Sequence, residues 1–209
     1  RGDGAEQQIA GWGRDRRRPL CRRGTETIGC FACPVGDQGI ISSTMPVLDR
    51  QSLEFISRSA EQTRRIGMRL GALLRPGDLV CLVGDLGAGK TTLVQGIAAG
   101  WGSRDAGNSP TFVLVNVYRR MDGGRLYHLD AYRLSGAAEA IDLDLDALLE
   151  GGPLVIEWAE RIQSALPPER LWITLRWADE NQRDMVFTAA GQRYETMLRQ
   201  LRKQVFGVM

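Results

Sequence analysis

Residues 79–92 read Leu79-Val80-Cys81-Leu82-Val83-Gly84-Asp85-Leu86-Gly87-Ala88-Gly89-Lys90-Thr91-Thr92, and this stretch decides the fold. A short apolar run predicts a buried strand. It leads directly into G-x-x-x-x-G-K-T, and an apolar helical pattern follows from Leu93. Strand, glycine-rich turn and helix in that order are the context in which this pattern cradles phosphate. Gly84, Gly87 and Gly89 let the backbone take positive φ and come close to a ligand. The N–H groups of the loop and of the first helical turn then converge on an anion. Lys90 is placed to reach the β- and γ-phosphates of a nucleotide such as ATP, and the Thr91 hydroxyl to ligate Mg²⁺.

Upstream of the loop, Ser59 and Gln62 form a capping box, and Ile66, Leu70, Leu73 and Leu74 then fall on one helical face. Arg75-Pro76-Gly77-Asp78 turns that helix into the strand. Downstream, the helix beginning at Lys90 is expected to run to about Ala99, with Gly100 and Gly102 punctuating its end. Residues 112–119 and 125–133 are β-branched, aromatic and aliphatic around Met121-Asp122-Gly123-Gly124, a hairpin signal. Residues 137–149 read as one short helix closed by Gly151-Gly152-Pro153, and Leu154-Val155-Ile156 as a brief buried strand. After Pro167-Pro168, residues 171–177 and 185–190 make a second hairpin. A last helix carries Tyr194, Met197, Leu198 and Leu201. The class is α/β, a three-layer fold of the phosphate-loop NTPase kind with a mixed parallel and antiparallel sheet; strand order is left open.

The chain has 209 residues, 43% hydrophobic and 25% charged, which is globular composition. No apolar run approaches the ~20 residues needed to span a bilayer, so no membrane role is expected. Without the basic-then-apolar layout of a secretory signal, a cytoplasmic location is expected. Residues 1–44 look different from the rest: glycine, arginine and small polar residues dominate, with no recurring apolar face. They are read as a disordered, artefactual or dispensable extension, with Met45 as the natural start and residues 45–209 as the ATPase domain. That extension holds seven arginines against five acidic residues, so it carries the whole net charge of +2. The remainder is charge-neutral, which disfavours direct gripping of nucleic acid. Cys30-Phe-Ala-Cys33 has the spacing of a redox pair or half a zinc site, but no second pair follows. Cys81 reads as a buried small hydrophobe.

Hydrolysis needs a carboxylate near the magnesium and a group that positions water. Glu157 ends the apolar run 154–156 and is the choice for the metal-side carboxylate; the alternative is a surface glutamate at a strand end. Asp130 ends another apolar run and is its rival, or a holder of metal-bound water. Asp85 lies inside the loop, where a carboxylate beside phosphate needs a metal, proton or water to offset repulsion. Ser109-Pro110-Thr111 has the make-up of a segment that senses the γ-phosphate, or of a simple loop-to-strand transition. Asp142, Asp144 and Asp146 read as a solvated face.

The ordered set Gly84–Thr92 as GDLGAGKTT, Ser109-Pro110-Thr111-Phe112, Tyr127-His128-Leu129-Asp130-Ala131-Tyr132-Arg133-Leu134 and Ile156-Glu157-Trp158 resembles the TsaE (YjeE) family. The resemblance runs from about Ser59 to the second hairpin. It implies an ATPase working with the TsaB and TsaD proteins while threonylcarbamoyl is installed on tRNA adenosine next to the anticodon. The tRNA would be reached only through that complex. It further implies Mg²⁺ at Thr91 and Glu157, functional roles for Asp130 and Trp158, adenine-side contacts around Gln62 and Thr63, and a nucleotide contact at Arg183. The family's usual glycine before that arginine is Gln182 here. A small-molecule or nucleoside kinase using the same loop is the rival reading, although no arginine-bearing lid is evident. A GTP-dependent switch is disfavoured by the absence of an N-K-x-D sequence. Arg133 is the best in-chain candidate for an arginine finger.

Overall fold

The computed structural model describes residues 50–104, 114–179 and 182–207. The expectations for residues 1–44, for Cys21, Cys30 and Cys33 and for Ser109-Pro110-Thr111 lie outside the described residues.

In chain order the elements are β1 (Ser52–Ser57), α1 (Ala60–Gly71), β2 (Leu79–Val83), α2 (Lys90–Trp101), β3 (Val115–Arg119), β4 (Arg125–Asp130), α3 (Ala137–Ile141), α4 (Leu145–Gly151), β5 (Leu154–Glu157), β6 (Arg170–Trp177), β7 (Arg183–Ala190) and α5 (Gln192–Phe206). Short 3₁₀ segments follow β4 at Ala131–Arg133 and β5 at Ala159–Ala165. The strands form a seven-stranded sheet in the order β1-β7-β6-β2-β5-β4-β3. β6, β2, β5 and β4 run parallel, while β3–β4, β6–β7 and β1–β7 pair antiparallel. The sheet is mixed, with both hairpins at the predicted places.

Alternation along the strands explains the layers. In β2, Val80 and Leu82 point into a core shared with Ile66 and Leu70 of α1, Leu93 and Ile97 of α2, and Met197 and Leu201 of α5. Leu79 and Cys81 face the other way, among Leu129, Ile156, Ala140, Leu145 and Ile162. A sheet buried on both faces reads as a continuous apolar run, which is why β2 and β5 were legible. The Tyr194 hydroxyl accepts the Leu79 N–H at 2.7 Å and pins α5 to the start of β2. Burial pushes that phenol up to about 12.

Local details depart from the sequence reading. Residues 137–149 form two helices, because Asp144 turns left-handed (φ 48°) and caps α4 through the Ala147 N–H. The strand from Arg125 ends at Asp130, as its place after an apolar run implied, and does not continue to residue 133, because the Asp130 side chain accepts the Tyr132 N–H and starts the 3₁₀ turn. α2 runs through Gly100 and closes at Gly102, a left-handed cap. The edge strand β1 was not anticipated; Leu53 and Phe55 face the core while Glu54 and Ile56 face out. The capping box is present in modified form: Ser59 accepts the Gln62 N–H, and Gln62 reaches back to the Arg58 N–H.

Candidate nucleotide site

The parallel register brings the phosphate loop and two carboxylates to one level. Leu82 pairs with Glu157, and Glu157 with Asp130, so the loop leaving β2 at Gly84 lies over the carboxyl ends of β5 and β4. Ligand sites in open α/β sheets form at that end. The loop's glycines are required by geometry. Gly84 has φ 145° and a Cβ there would stand 2.2 Å from the Leu175 carbonyl; Gly89, with φ 101°, is the N-cap of α2. No side chain caps α2 and no acid occupies its first turn. The N–H groups and positive dipole end of this helix are therefore offered to an anion.

Lys90 is buried, 5% exposed. Its Nζ donates to the Gly84 and Asp85 carbonyls at 2.6 and 2.9 Å and lies 3.6 Å from the centroid of the Trp158 ring. Desolvation holds the ammonium below its usual 10.5, opposed by the charges of Glu157, Glu160, Asp130 and Asp85. Trp158 holds its place through a left-handed backbone (φ 59°), uncommon for a bulky residue, and packs on Tyr132 at 5.1 Å between centroids. Asp85 and Leu86 are exposed at the tip of the loop, and Ala88 is buried beneath it.

Glu157 is 4% exposed, which excludes the reading of it as a surface residue. Its Oε2 accepts the Thr91 hydroxyl at 3.1 Å and its Oε1 lies 3.0 Å from His128 Nε2. A hydroxyl and a carboxylate side by side form the hard-oxygen set that Mg²⁺ takes when phosphate and water complete the shell. Among the described residues no cluster of three or more His, Cys, Asp or Glu could hold a metal. Asp130 stands beside Glu157, half-buried, with its side chain engaged by the Tyr132 N–H.

On the other side of the loop lies a cleft of about 340 Å³ lined by Arg58, Ser59, Ala60, Thr63, Gly87, Gly89, Thr92 and Arg183. Thr63 reaches it from α1, where its hydroxyl pairs with Ser57 Oγ at 2.8 Å. Gln62 does not line the cleft. Arg183 is the first residue of β7 rather than a turn residue, and its guanidinium lies 3.7 Å from the Trp177 ring centroid. The structure thus gathers Lys90, Thr91, Asp130, Glu157 and Trp158 on one side of the loop, and Thr63, Thr92 and Arg183 on the other. Sequence reading missed His128, Arg58 and Trp177. For His128, a polar residue two positions before Asp130 in an apolar strand was the available signal.

The family model described as threonylcarbamoyl adenosine biosynthesis protein TsaE matches residues 57–185. The chain belongs to the TsaE family. The tRNA threonylcarbamoyladenosine biosynthesis protein TsaE of Bacillus subtilis is 41% identical over 153 residues, covering 72% of this chain and 94% of that protein. Its namesake from Streptomyces coelicolor is 45% identical over 139 residues, covering 64% and 94%. The crystal structure of Bacillus subtilis YdiB superposes with a TM-score of 0.63 at 36% identity, covering 74% of this chain and 96% of that one. The family-model match takes in every site residue named above. Among the described residues no helix is long and apolar enough to cross a membrane.

Proposed function

We propose that the chain is a Mg²⁺-dependent ATP hydrolase that supports threonylcarbamoyladenosine formation on tRNA together with TsaB and TsaD. The observation that carries this reading is the meeting of Thr91, next to Lys90 at the start of α2, with Glu157, which is paired with Asp130 at the ends of two parallel strands. Loop N–H groups and the α2 terminus bind the phosphates. Lys90 leaves the Gly84 and Asp85 carbonyls to pair with them, which also draws it from under Trp158. Thr91 and Glu157 hold the metal, which when bound neutralises charge developing on the β- and γ-phosphate oxygens. Asp130, beside Glu157 and open to solvent, orients the attacking water, with Asp85 at the loop tip as a further acceptor. Thr63, Thr92 and Arg183 line the space for the nucleoside. Gln62 acts there only through the start of α1.

ATP hydrolysis titrated against purified TsaB–TsaD complex tests the proposal. Slow turnover alone and stimulation by the complex are expected. Neither binding nor stimulation would leave a nucleotide-binding protein without this role. Phosphate transfer dependent on an added small-molecule acceptor would establish the kinase reading instead.

A further inference from the structure

His128 is the sole histidine of the chain and is 1% exposed. It lies in β4 two residues before Asp130, and the register sets it against Val155, two residues before Glu157. Imidazole and carboxylate therefore share a face of the sheet. Each oxygen of Glu157 meets its own partner: Oε1 meets His128 Nε2 at 3.0 Å, and Oε2 accepts the Thr91 hydroxyl at 3.1 Å. A carboxylate accepts hydrogen bonds and does not donate, so the ring hydrogen belongs on Nε2. Among the described residues His128 Nδ1 is buried with no hydrogen-bond partner, which suits a bare lone pair better than an N–H. The Tyr118 ring lies nearly parallel to the imidazole, 6.2 Å between centroids and 15° apart.

We propose that His128 is a positioning residue whose Nε2–H fixes the rotamer of Glu157, so that Oε2 and the Thr91 hydroxyl converge on one metal position. The inference rests on the reading that Thr91 and Glu157 hold Mg²⁺. Mg²⁺ demands near-ideal octahedral geometry, and the partners that orient its ligands typically matter 10–100-fold in affinity.

Two measurements test it. In the ligand-free protein, long-range ¹⁵N NMR of the single imidazole should show the Nε2-protonated tautomer; the Nδ1-protonated tautomer would overturn the proposal. Calorimetric titration with ADP is then run in EDTA and in rising Mg²⁺. His128→Leu should bind ADP without metal as the parent does, yet need about 10–100-fold more Mg²⁺ to reach the metal-dependent affinity. His128→Gln, whose amide N–H reaches the Nε2 position, should restore most of the Mg²⁺ response. An unchanged Mg²⁺ response in His128→Leu, equal loss of metal-free binding, or a glutamine variant no better than leucine would each refute a positioning role. A parent protein whose ADP affinity ignores Mg²⁺ would refute the metal site itself, a separate result.

Discussion

Replacing Gly96 by alanine should destabilise the protein, although helix propensity alone favours alanine by about 1 kcal/mol. α1 and α2 approach through glycines on both helices. A Cβ at Gly67 would stand 2.5 Å from the Leu93 carbonyl, at Gly71 2.1 Å from that of Ile97, at Gly96 2.3 Å from that of Arg64, and at Gly100 1.9 Å from that of Met68. At Gly96 the Arg64 carbonyl carbon and Cα also lie at 2.9 Å, so the obstacle is backbone and cannot rotate away. Ordinary contact begins near 3.4 Å, and reaching it means parting the helices by about 1 Å. A gap of that size forfeits roughly a quarter to a half of the dispersion well for each contact across the interface. Those contacts are made by Ile66, Leu70, Leu93 and Ile97, all buried. Overpacking costs typically 1–3 kcal/mol, and immovable backbone places this case at the upper end. After the propensity gain the net loss is about 2 kcal/mol, or roughly 4–8 °C in Tm for a domain of this size. Thermal and urea unfolding followed by circular dichroism measure it. An unchanged or raised Tm would refute the claim that these glycines set the helix spacing. The same spacing sets the cleft between Thr63 on α1 and Thr92 on α2, so ADP affinity should fall with stability.

Lys90→Ala should weaken ATP binding about 100-fold, the scale of a lost charge-assisted bond; calorimetry showing full affinity would remove Lys90 from the site. Glu157→Ala should keep metal-free nucleotide binding and lose Mg²⁺-dependent phosphate release, measured by a coupled phosphate assay. Because burial lowers the Lys90 ammonium below 10.5, the fold disfavours its charged form, a penalty that fades as pH rises through the lowered value. Phosphate needs the charged form, so ATP affinity should decline with rising pH before 10.5 is reached, and a profile whose midpoint lies at or above 10.5 would contradict this. Burial pushes the Cys81 thiol up to about 12; peptide mapping after iodoacetamide should find Cys81 modified only in denaturant.

Much of the fold was legible because its central strands are buried on both faces. Leu79–Val83 and residues 154–156 are continuous apolar runs, and the four residues assigned to the last helix are the four that α5 buries. β1 escaped notice because a half-exposed edge strand with alternating Glu54 and Ile56 outside carries little periodic signal in six residues. The break at Asp144 escaped because a left-handed aspartate is a local choice that helical periodicity does not encode.

By itself the sequence determined the phosphate loop, its strand and helix, and the two carboxylates at strand ends, since each is a contiguous pattern whose chemistry is local. Four ordered motifs also determined the family. Tertiary structure alone decided which groups meet. β5 lies between β2 and β4, so Glu157 sits against Thr91 and beside Asp130, separated by 66 and 27 positions in the chain. It also turned a histidine to which the sequence had given no role into the second partner of Glu157, and put a tryptophan ring over the loop lysine. The physical reason is register. Parallel pairing between distant strands is fixed by burial on both faces of the sheet, and a one-residue slip would turn every one of these side chains to the opposite side.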